Sequence, residues 1–337
     1  DISYLREQNQ FSEEFLQYLE NFHFTGSIWA IPEGTVVFPN EPLLTVKAPI
    51  IEAQLLETML LLTLNHQSLI ATKTSRIVKA AKGIPVMEFG ARRAHGVDAA
   101  VYGARASIIG GAVGTSCSLS AKKFHVPASG TMAHSWIQSF PSEYEAFKAY
   151  AETYPNSCTL LVDTYDVLQS GVPNAIRVFH DVLDPLGIRP KAVRLDSGDL
   201  AYLSKKVRKM LDENGYPDCG ICATNSLDEF LITSLLEQGA KIDSFGVGEN
   251  LITAKSNPVF GGVYKLSALE KGGKLIPKIK ISETMAKITN PSFKKVYRFY
   301  DNDTHKALAD VITLYDETIP EDHYVIFDEQ NPWKKKT

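Results

Sequence analysis

Several short apolar segments between Ile84 and Glu249 end in residues that could bind an anion or a sugar. These groups combine carboxylates, two guanidinium groups, hydroxyls, an amide and closely spaced glycines: Glu88–Arg92, Asp163–Asp166, Arg194–Asp199, Ala223–Ser226 and Phe245–Gly248. A guanidinium fork fits a carboxylate or a phosphate, and glycine turns let a phosphate approach backbone N–H groups. Because the groups lie far apart in the sequence, the fold has to gather them.

Segments of helical period separate these apolar runs, and the alternation predicts a parallel sheet with right-handed crossovers. The runs Thr159–Val162, Ala192–Leu195 and Ile242–Phe245 have the composition of buried parallel strands. When such a sheet closes into a barrel, ligands bind at the carboxyl ends of the strands. We therefore expect the polar groups to converge on one mouth.

The helices between the strands are marked by their ends. Apolar residues at helical spacing run from Leu200 to Leu211, and Gly215 follows as a typical residue just beyond a helix. The segment Ser226-Leu227-Asp228-Glu229 has the form of a capping box, which predicts a helix that begins at Ser226 and stops near Gly239.

The flanking regions have a different pattern. Thr35–Pro49 and Val259–Ile281 are rich in β-branched residues with turn residues between them, and they predict short antiparallel strands. Ala53–Ile70 is an apolar helical stretch that is too polar to span a membrane and predicts a buried core helix. We expect the two chain ends to form one β-rich domain, residues 1–80 with 256–337, beside a barrel domain of residues 81–255.

The bulk properties favour a cytoplasmic enzyme. The 337 residues carry a net charge of −4, so no basic field for nucleic acid is expected. No signal peptide or membrane-spanning segment is visible. Cys219 and Cys222 have C-x-x-C spacing, but a strand turns them to opposite faces and no second pair completes a zinc site, so we expect no direct metal site there.

Longer motifs give a specific resemblance. They are Phe22–Ala30 followed by Pro32-Glu33-Gly34, then Glu88–Gly96, Ser129–Trp136, Leu161–Asp166, Val193–Leu200 and Phe245–Gly248. In these segments, which are spread over nearly the whole chain, the sequence resembles the nicotinate phosphoribosyltransferase family. The resemblance implies the type II phosphoribosyltransferase fold: an irregular, TIM-like parallel α/β barrel plus a β-rich α/β domain built from both chain ends.

The resemblance also implies an activity. Family members make nicotinate mononucleotide and pyrophosphate from nicotinate and phosphoribosyl pyrophosphate, with Mg²⁺, as a step of NAD biosynthesis. They couple this reaction to ATP hydrolysis through a phosphohistidine. They are generally homodimers with the site near the subunit interface.

The base pocket has to hold a flat anion. Phe89 is the candidate aromatic face, and Arg92 and Arg194 are the candidate cations. Thr115 and Ser116 add short hydroxyl donors. The related nicotinamide phosphoribosyltransferases typically have an aspartate at the position of Ser116, and a carboxylate there would repel nicotinate. Ser116 therefore predicts the acid, rather than the amide, as substrate.

The candidate residues for contacts to phosphate and ribose follow the ends of the predicted strands. Ser197-Gly198 and the pair Gly246 and Gly248 are candidates for backbone contacts to phosphate, and Asn225 is a further candidate. Asp163 and Asp196 are candidates for the ribose hydroxyls, or for Mg²⁺ through water, with substrate holding the metal directly. Capping of the following helix is the alternative role for Asp196.

The resemblance assigns the remaining catalytic role to His134, which lies in the family's phosphohistidine motif. Asp196 and Arg194 are the other residues assigned to catalysis. Asn250 stands where many relatives have arginine, and this difference predicts a weaker phosphate contact.

The beginning of the chain departs from the family pattern. Relatives usually start with Asp-Leu-Tyr-x-x-Thr-Met, whose tyrosine crosses to the partner subunit and stacks on the pyridine, and this sequence has no such segment. We therefore expect the chain to bind phosphoribosyl pyrophosphate better than nicotinate.

Two alternatives stay open. One is another pyridine phosphoribosyltransferase, although quinolinate calls for additional cations and Ser116 disfavours nicotinamide. The other is a truncated form that binds ligand without turnover.

Overall fold

A computed structural model describes residues 1–283, 288, 290–327 and 331–336. The chain forms two compact units, residues 1–61 with 263–337 and residues 62–262. Both chain ends belong to the same unit, as expected from the sequence. The finer domain division at residues 80/81 and 255/256 stays a prediction.

The amino-terminal part of the terminal unit is short helices and one strand pair. Its elements are α1 (Ile2–Glu7), α2 (Glu13–Glu20), β1 (Ser27–Ala30), β2 (Leu44–Lys47) and α3 (Ile50–Leu55). Strands β1 and β2 pair antiparallel. Of the strand-rich segment expected over Thr35–Pro49, the structure has only β2.

Helix α4 (Glu57–Ala80) begins in the terminal unit and continues into the other. The expected buried helix over Ala53–Ile70 was wrong for most of that stretch, because Met59 and Leu62 are 58% and 70% exposed. Its buried residues lie further along: Ile70, Lys73, Thr74 and Ile77. Apolar composition favoured a helix here but did not specify which part of it is packed.

The second unit contains a curled parallel sheet with six strands in the described residues. They are β3 (Val86–Glu88), β4 (Gly114–Thr115), β5 (Thr159–Leu161), β6 (Ala192–Leu195), β7 (Gly220–Ala223) and β8 (Ser244–Val247). Their order in the sheet is β4-β3-β8-β7-β6-β5. The last strand thus returns to lie beside the first, as in a barrel, and the expected α/β barrel class is confirmed.

The sheet stays open at one place. Between the described residues of β4 and β5 no ladder of hydrogen bonds forms, and we call this opening the seam. On the β4 side, Thr115 forms an isolated parallel bridge with Ala128, so the segment from Ala128 to Ala133 begins beside β4. Apolar side chains of the strands are buried in one core cluster with side chains from the helices, among them Leu160, Val193, Leu195, Ile221, Phe245 and Val247.

Helices follow the strands as the sequence pattern predicts. They are α5 (Val97–Ile109), α6 (Ser118–Phe124), α7 (His134–Gln138), α8 (Glu143–Thr153), α9 (Val172–Val178), α10 (Leu200–Glu213), α11 (Glu229–Glu237) and α12 (Glu249–Ile252). Gly215 and Gly239 follow α10 and α11 with φ of 85° and 73°, a left-handed conformation that favours glycine.

One helix start differs from the expectation. Asp228, not Ser226, is the N-cap of α11, and its carboxylate accepts hydrogen bonds from the N–H groups of Phe230 and Leu231. The capping-box spacing was misleading because an aspartate two residues later provides a better-placed acceptor. Ser226 stays outside the helix.

The carboxyl-terminal part of the terminal unit is made of strand pairs. Strands β9 (Ala268–Lys271) and β10 (Lys274–Pro277) form the hairpin expected within Val259–Ile281. The longer pair β11 (Lys294–Tyr300) and β12 (Ala307–Leu314), together with β13 (Ile326–Phe327) and β14 (Lys335–Lys336), was not anticipated. Stacked Phe293 and Tyr315 rings, 4.2 Å apart, pack against Trp29 of β1.

Among the residues described, no helix combines the length and the apolar character needed to cross a bilayer.

The tight approach at Gly171 gives a first prediction about stability. A Cβ atom at this position would overlap the Val162 carbonyl at the end of β5, and a backbone group cannot easily move away. Gly171→Ala is expected to destabilise the protein by about 1–3 kcal/mol and to lower Tm by several degrees. Thermal unfolding followed by circular dichroism measures this. Gly261→Ala is the control, because nothing lies within 4 Å of its added Cβ; equal melting of the two variants would contradict the packing argument.

Candidate functional site

The strand ends of β5 and β6 are joined by a buried carboxylate. Asp163 is 1% exposed at its side chain. Its Oδ2 accepts hydrogen bonds from the Asp196 backbone N–H at 3.0 Å and the Ser197 hydroxyl at 2.5 Å. The other oxygen, Oδ1, is buried and has no hydrogen-bond partner among the described residues. Asp163 thus fixes the turn after β6 and keeps one acceptor available for a ligand.

Arg194 connects three separate segments at the same mouth. Its side chain, 17% exposed, rises from the otherwise apolar strand β6. The guanidinium donates to Asp196 Oδ1 at 2.8 Å, to Thr224 Oγ1 at 2.9 Å and to Thr131 Oγ1 at 2.7 Å. Through these bonds it links β6 to the end of β7 and to the segment beside the seam.

Asp196 is held in its charged form. Burial alone would raise the pKa of its carboxyl, but a hydrogen bond from Thr224, the Arg194 charge and a contact with His134 outweigh it. The pKa of Asp196 therefore lies below its usual range. A carboxylate at this point can accept from ribose hydroxyls or hold a hydrated cation.

His134 begins helix α7 at the edge of this network. Its Nδ1 lies 3.0 Å from the Thr164 hydroxyl, and its Nε2 lies 3.5 Å from Asp196 Oδ2 and 4.0 Å from Asp163 Oδ1. The side chain is 40% exposed. The ring is thus oriented by groups on both nitrogens and still reachable by a ligand.

Glu88 organises the other side of the mouth, at the end of β3. It is fully buried, and its carboxylate accepts hydrogen bonds from the Gly90 N–H and, at 2.6 Å, from the Thr115 hydroxyl. The Glu88 carbonyl also accepts from the Ser116 N–H at 2.9 Å. Burial raises the pKa of this carboxyl above its usual range, although both donors oppose the shift.

The candidate base-pocket residues lie around the turns that follow β3 and β4. Phe89 is half-buried, and its ring lies so close to Gly246 that a Cβ there would come within 2.5 Å of it. Ser116 is exposed after β4. Arg92 lies exposed in the 3-10 turn Ala91–Arg93, and no described residue pairs with it. The structure therefore does not bring Arg92 into the Arg194 network.

The candidate phosphate contacts are backbone groups of the mouth. Gly198 has a φ of 78° and Asn225 a φ of 91°, and both stand at exposed turns after β6 and β7. No described group accepts from the N–H groups of Ser197, Gly198 or Asn225. Gly248 follows β8, and a Cβ there would lie 3.2 Å from the Phe89 carbonyl oxygen. Gly246 within β8 and Gly248 after it are thus explained in part by packing against Phe89.

Sequence reasoning missed Glu88, Thr131, Thr164 and Thr224 as members of the site, although each lies in a motif that it had singled out. A carboxylate at the end of an apolar three-residue strand was the available signal for Glu88. The threonines carry no comparable signal, because their roles depend on partners far away in the sequence.

Comparison with known proteins places this arrangement in a family. The model of the nicotinate phosphoribosyltransferase (NAPRTase) family matches residues 84–315, and the model of the NAPRTase N-terminal domain matches residues 1–65. The chain belongs to the nicotinate phosphoribosyltransferase family. A nicotinate phosphoribosyltransferase of Bacillus subtilis is 51% identical over 95% of this chain and 64% of its own length. One from Mycobacterium tuberculosis is 45% identical over 97% of this chain and 68% of its own length.

Solved structures of similar proteins support the same family assignment. The human nicotinic acid phosphoribosyltransferase has a TM-score of 0.83 and 28% identity, and the match covers 100% of this chain and 74% of that one. A nicotinate-nucleotide pyrophosphorylase from Pyrococcus furiosus has a TM-score of 0.71 and 29% identity over 88% of this chain and 70% of that one. This chain therefore spans about two thirds of the length of the nicotinate phosphoribosyltransferases it resembles.

The buried Glu88 gives the second prediction. Glu88→Ala leaves the Gly90 N–H and the Thr115 hydroxyl without their acceptor, so we expect a loss of about 1–3 kcal/mol in stability for each group left unpaired. Chemical denaturation measures the loss. The exposed Glu237 on α11 is the matched control, and Glu237→Ala should change stability by no more than about 0.5 kcal/mol.

The raised pKa of Glu88 adds a pH dependence. Because the folded state holds the Glu88 proton more tightly than the unfolded state, this contribution is fully present below the ordinary carboxyl pKa and is lost as pH rises through the raised value. Glu88→Gln does not titrate; its carbonyl oxygen can accept from the Gly90 N–H, and its NH2 group can donate to the Thr115 oxygen. The stability of wild type relative to this variant should therefore fall as pH rises; a constant difference across that window would refute the assignment.

Proposed function

We propose that this chain catalyses the transfer of a phosphoribosyl group from phosphoribosyl pyrophosphate to nicotinate. The products are nicotinate mononucleotide and pyrophosphate, in NAD biosynthesis, and the reaction is coupled to ATP hydrolysis. The observation that carries the proposal is the convergence of Arg194, Asp196, Asp163 and His134 on one mouth of the barrel.

This set of charged and polar residues suits the displacement of pyrophosphate from ribose C1 by nicotinate. Breaking the bond from ribose C1 to pyrophosphate gives an oxocarbenium-like transition state with negative charge building on the leaving group. The protein has to hold both reactants in line, neutralise that charge and exclude water. Positioning of this kind can contribute about 7–11 kcal/mol to lowering a barrier.

Arg194 is suited to an anionic ligand even though it is paired. A guanidinium has five N–H donors; Asp196, Thr131 and Thr224 use three of them, and the other two can reach a ligand. The proposal places the nicotinate ring against Phe89, with Thr115, Ser116 and Arg92 on the Glu88 side of the mouth. Thr115 acts there mainly by shaping the turn, because its hydroxyl already donates to Glu88.

The acidic residues fit a magnesium ion bound with substrate. Asp163, whose buried Oδ1 has no hydrogen-bond partner among the described residues, and the ionised Asp196 would contact Mg²⁺ through water while the substrate holds the metal directly. When bound, the metal would neutralise charge on the pyrophosphate. Asp163 and Asp196 would hold it through water while Ser197, Gly198 and Asn225 contact the substrate, and Gly246 and Gly248 leave room for it.

His134 is proposed as the residue that couples ATP hydrolysis. An imidazole nitrogen attacks the γ-phosphorus, an N–P bond forms, and the bond to the departing ADP oxygen breaks. Water then cleaves the N–P bond and releases phosphate. The contacts with Thr164 and Asp196 hold the ring in one orientation for this step. The proposal also includes a homodimer with the site near the subunit interface and a cytoplasmic location, as in the family.

The third prediction tests the choice of base. With phosphoribosyl pyrophosphate and Mg²⁺, the purified chain should form the nucleotide of nicotinate faster than that of nicotinamide or quinolinate. Ser116→Asp should raise KM for nicotinate by like-charge repulsion, roughly tenfold for about 1.4 kcal/mol. Chromatography of the products under competition measures both. Ser234→Asp on the exposed face of α11 is the control; equal or better use of nicotinamide by wild type would refute nicotinate as the substrate.

The fourth prediction tests the phosphohistidine. His134→Ala should abolish ATP hydrolysis and its coupling while leaving slow synthesis without ATP. Labelled ATP should give an acid-labile phosphoenzyme with wild type and with the control His323→Ala, whose side chain is exposed in the other unit. An acid-labile phosphoenzyme formed by the His134→Ala variant would show that another residue carries the phosphate.

A further inference from the structure

The turn after β7 has an unusual backbone. Asn225 and Ser226 are consecutive non-glycine residues with φ of 91° and 43°, both in the region that side chains disfavour. Both residues are exposed at the mouth of the barrel, between the buried Thr224 and the buried Leu227. Conformations of this kind persist only where surrounding structure holds them in place.

Asn250 provides such support from the neighbouring strand end. It is 8% exposed and is the second residue of α12, after β8. Its side-chain amide donates to the Ser226 carbonyl at 2.7 Å and to the Leu227 carbonyl at 3.2 Å. The amide group therefore faces the turn and is occupied by it.

We propose that Asn250 is a positioning residue that holds the Asn225–Ser226 turn in the shape that binds the phosphoribosyl substrate. The inference rests on the proposed function. The sequence difference at residue 250 predicted a weaker direct phosphate contact, but the structure gives Asn250 an indirect role. Asn250 acts on the substrate through the Asn225 amide and the free N–H groups of the turn.

The chemistry of the side chain suits this role. A primary amide has two N–H donors in one plane, and the turn has two carbonyls within its reach. An aspartate of the same shape has only acceptors and would repel both carbonyls. Alanine would leave the carbonyl of the buried Leu227 without a donor, which is unfavourable inside a protein.

The experiment is a double-mutant cycle on the full chain with Asn250→Ala, Ser226→Gly and the combined variant. Asn250→Ala removes both hydrogen bonds to the turn and should raise KM for phosphoribosyl pyrophosphate about tenfold. KM for nicotinate should stay within about twofold of wild type. Glycine adopts positive φ without strain, so Asn250→Ala should have a much smaller effect on KM in the Ser226→Gly background.

A second readout does not depend on turnover. Amide hydrogen exchange of peptides covering residues 224–228 should be faster in Asn250→Ala than in wild type. Asn174→Ala is the matched control, because Asn174 is a half-buried asparagine that hydrogen-bonds Glu143 and Ser170 and not the turn after β7. It should change neither the exchange of these peptides nor the KM.

The outcomes separate the two proposals. Unchanged exchange at residues 224–228 in Asn250→Ala would overturn the positioning role, and so would equal rises in KM for both substrates or a fully additive cycle. If wild type forms no nucleotide, the proposed function fails, and exchange together with calorimetric binding of phosphoribosyl pyrophosphate still decides the role of Asn250.

Discussion

Arg194 has a positive charge on a half-buried side chain, and the mouth of the barrel is built around that constraint. A buried charge is tolerated only when it is paired and hydrogen-bonded. Its partners, Asp196, Thr224 and Thr131, come from three different parts of the chain. Satisfying one guanidinium therefore fixes the relative positions of two strand ends and of the segment beside the seam.

A buried acidic side chain has the corresponding role on the opposite side of the mouth. Glu88 is buried between two turns, and its carboxylate meets the Gly90 N–H and the Thr115 hydroxyl. Asp163 and Asn250 act in a similar way after β5 and β8. Several residues that are proposed to contact the ligand are thus held in place by hydrogen bonds to buried polar side chains. Such a supporting layer is what keeps a site close to its working geometry.

The local sequence pattern was enough to predict the strands whose ends carry the site. It was not enough to predict the hydrogen bonds that support the site residues. The strands near Thr159 and Ala192 follow from short apolar runs, and the rule that ligands bind at the carboxyl ends of strands correctly brings Asp163 and Asp196 together. Helix α11 shows the limit, since its cap depends on which of two nearby hydroxyl or carboxylate groups is better placed. The role of Asn250 depends on a turn elsewhere in the chain, which no local window contains.

The seam makes one side of the barrel easier to open than the others. Neighbouring strands elsewhere in the sheet are joined by ladders, whereas β4 meets the Ala128 segment through a single isolated bridge at Thr115. A force that spreads the barrel is therefore resisted least along this line, and regions with few backbone hydrogen bonds open at the lowest free energy. His134 is the next residue in the chain after the Ala128–Ala133 segment, which begins at this bridge. The compliant side of the barrel and the side that carries the histidine are the same side.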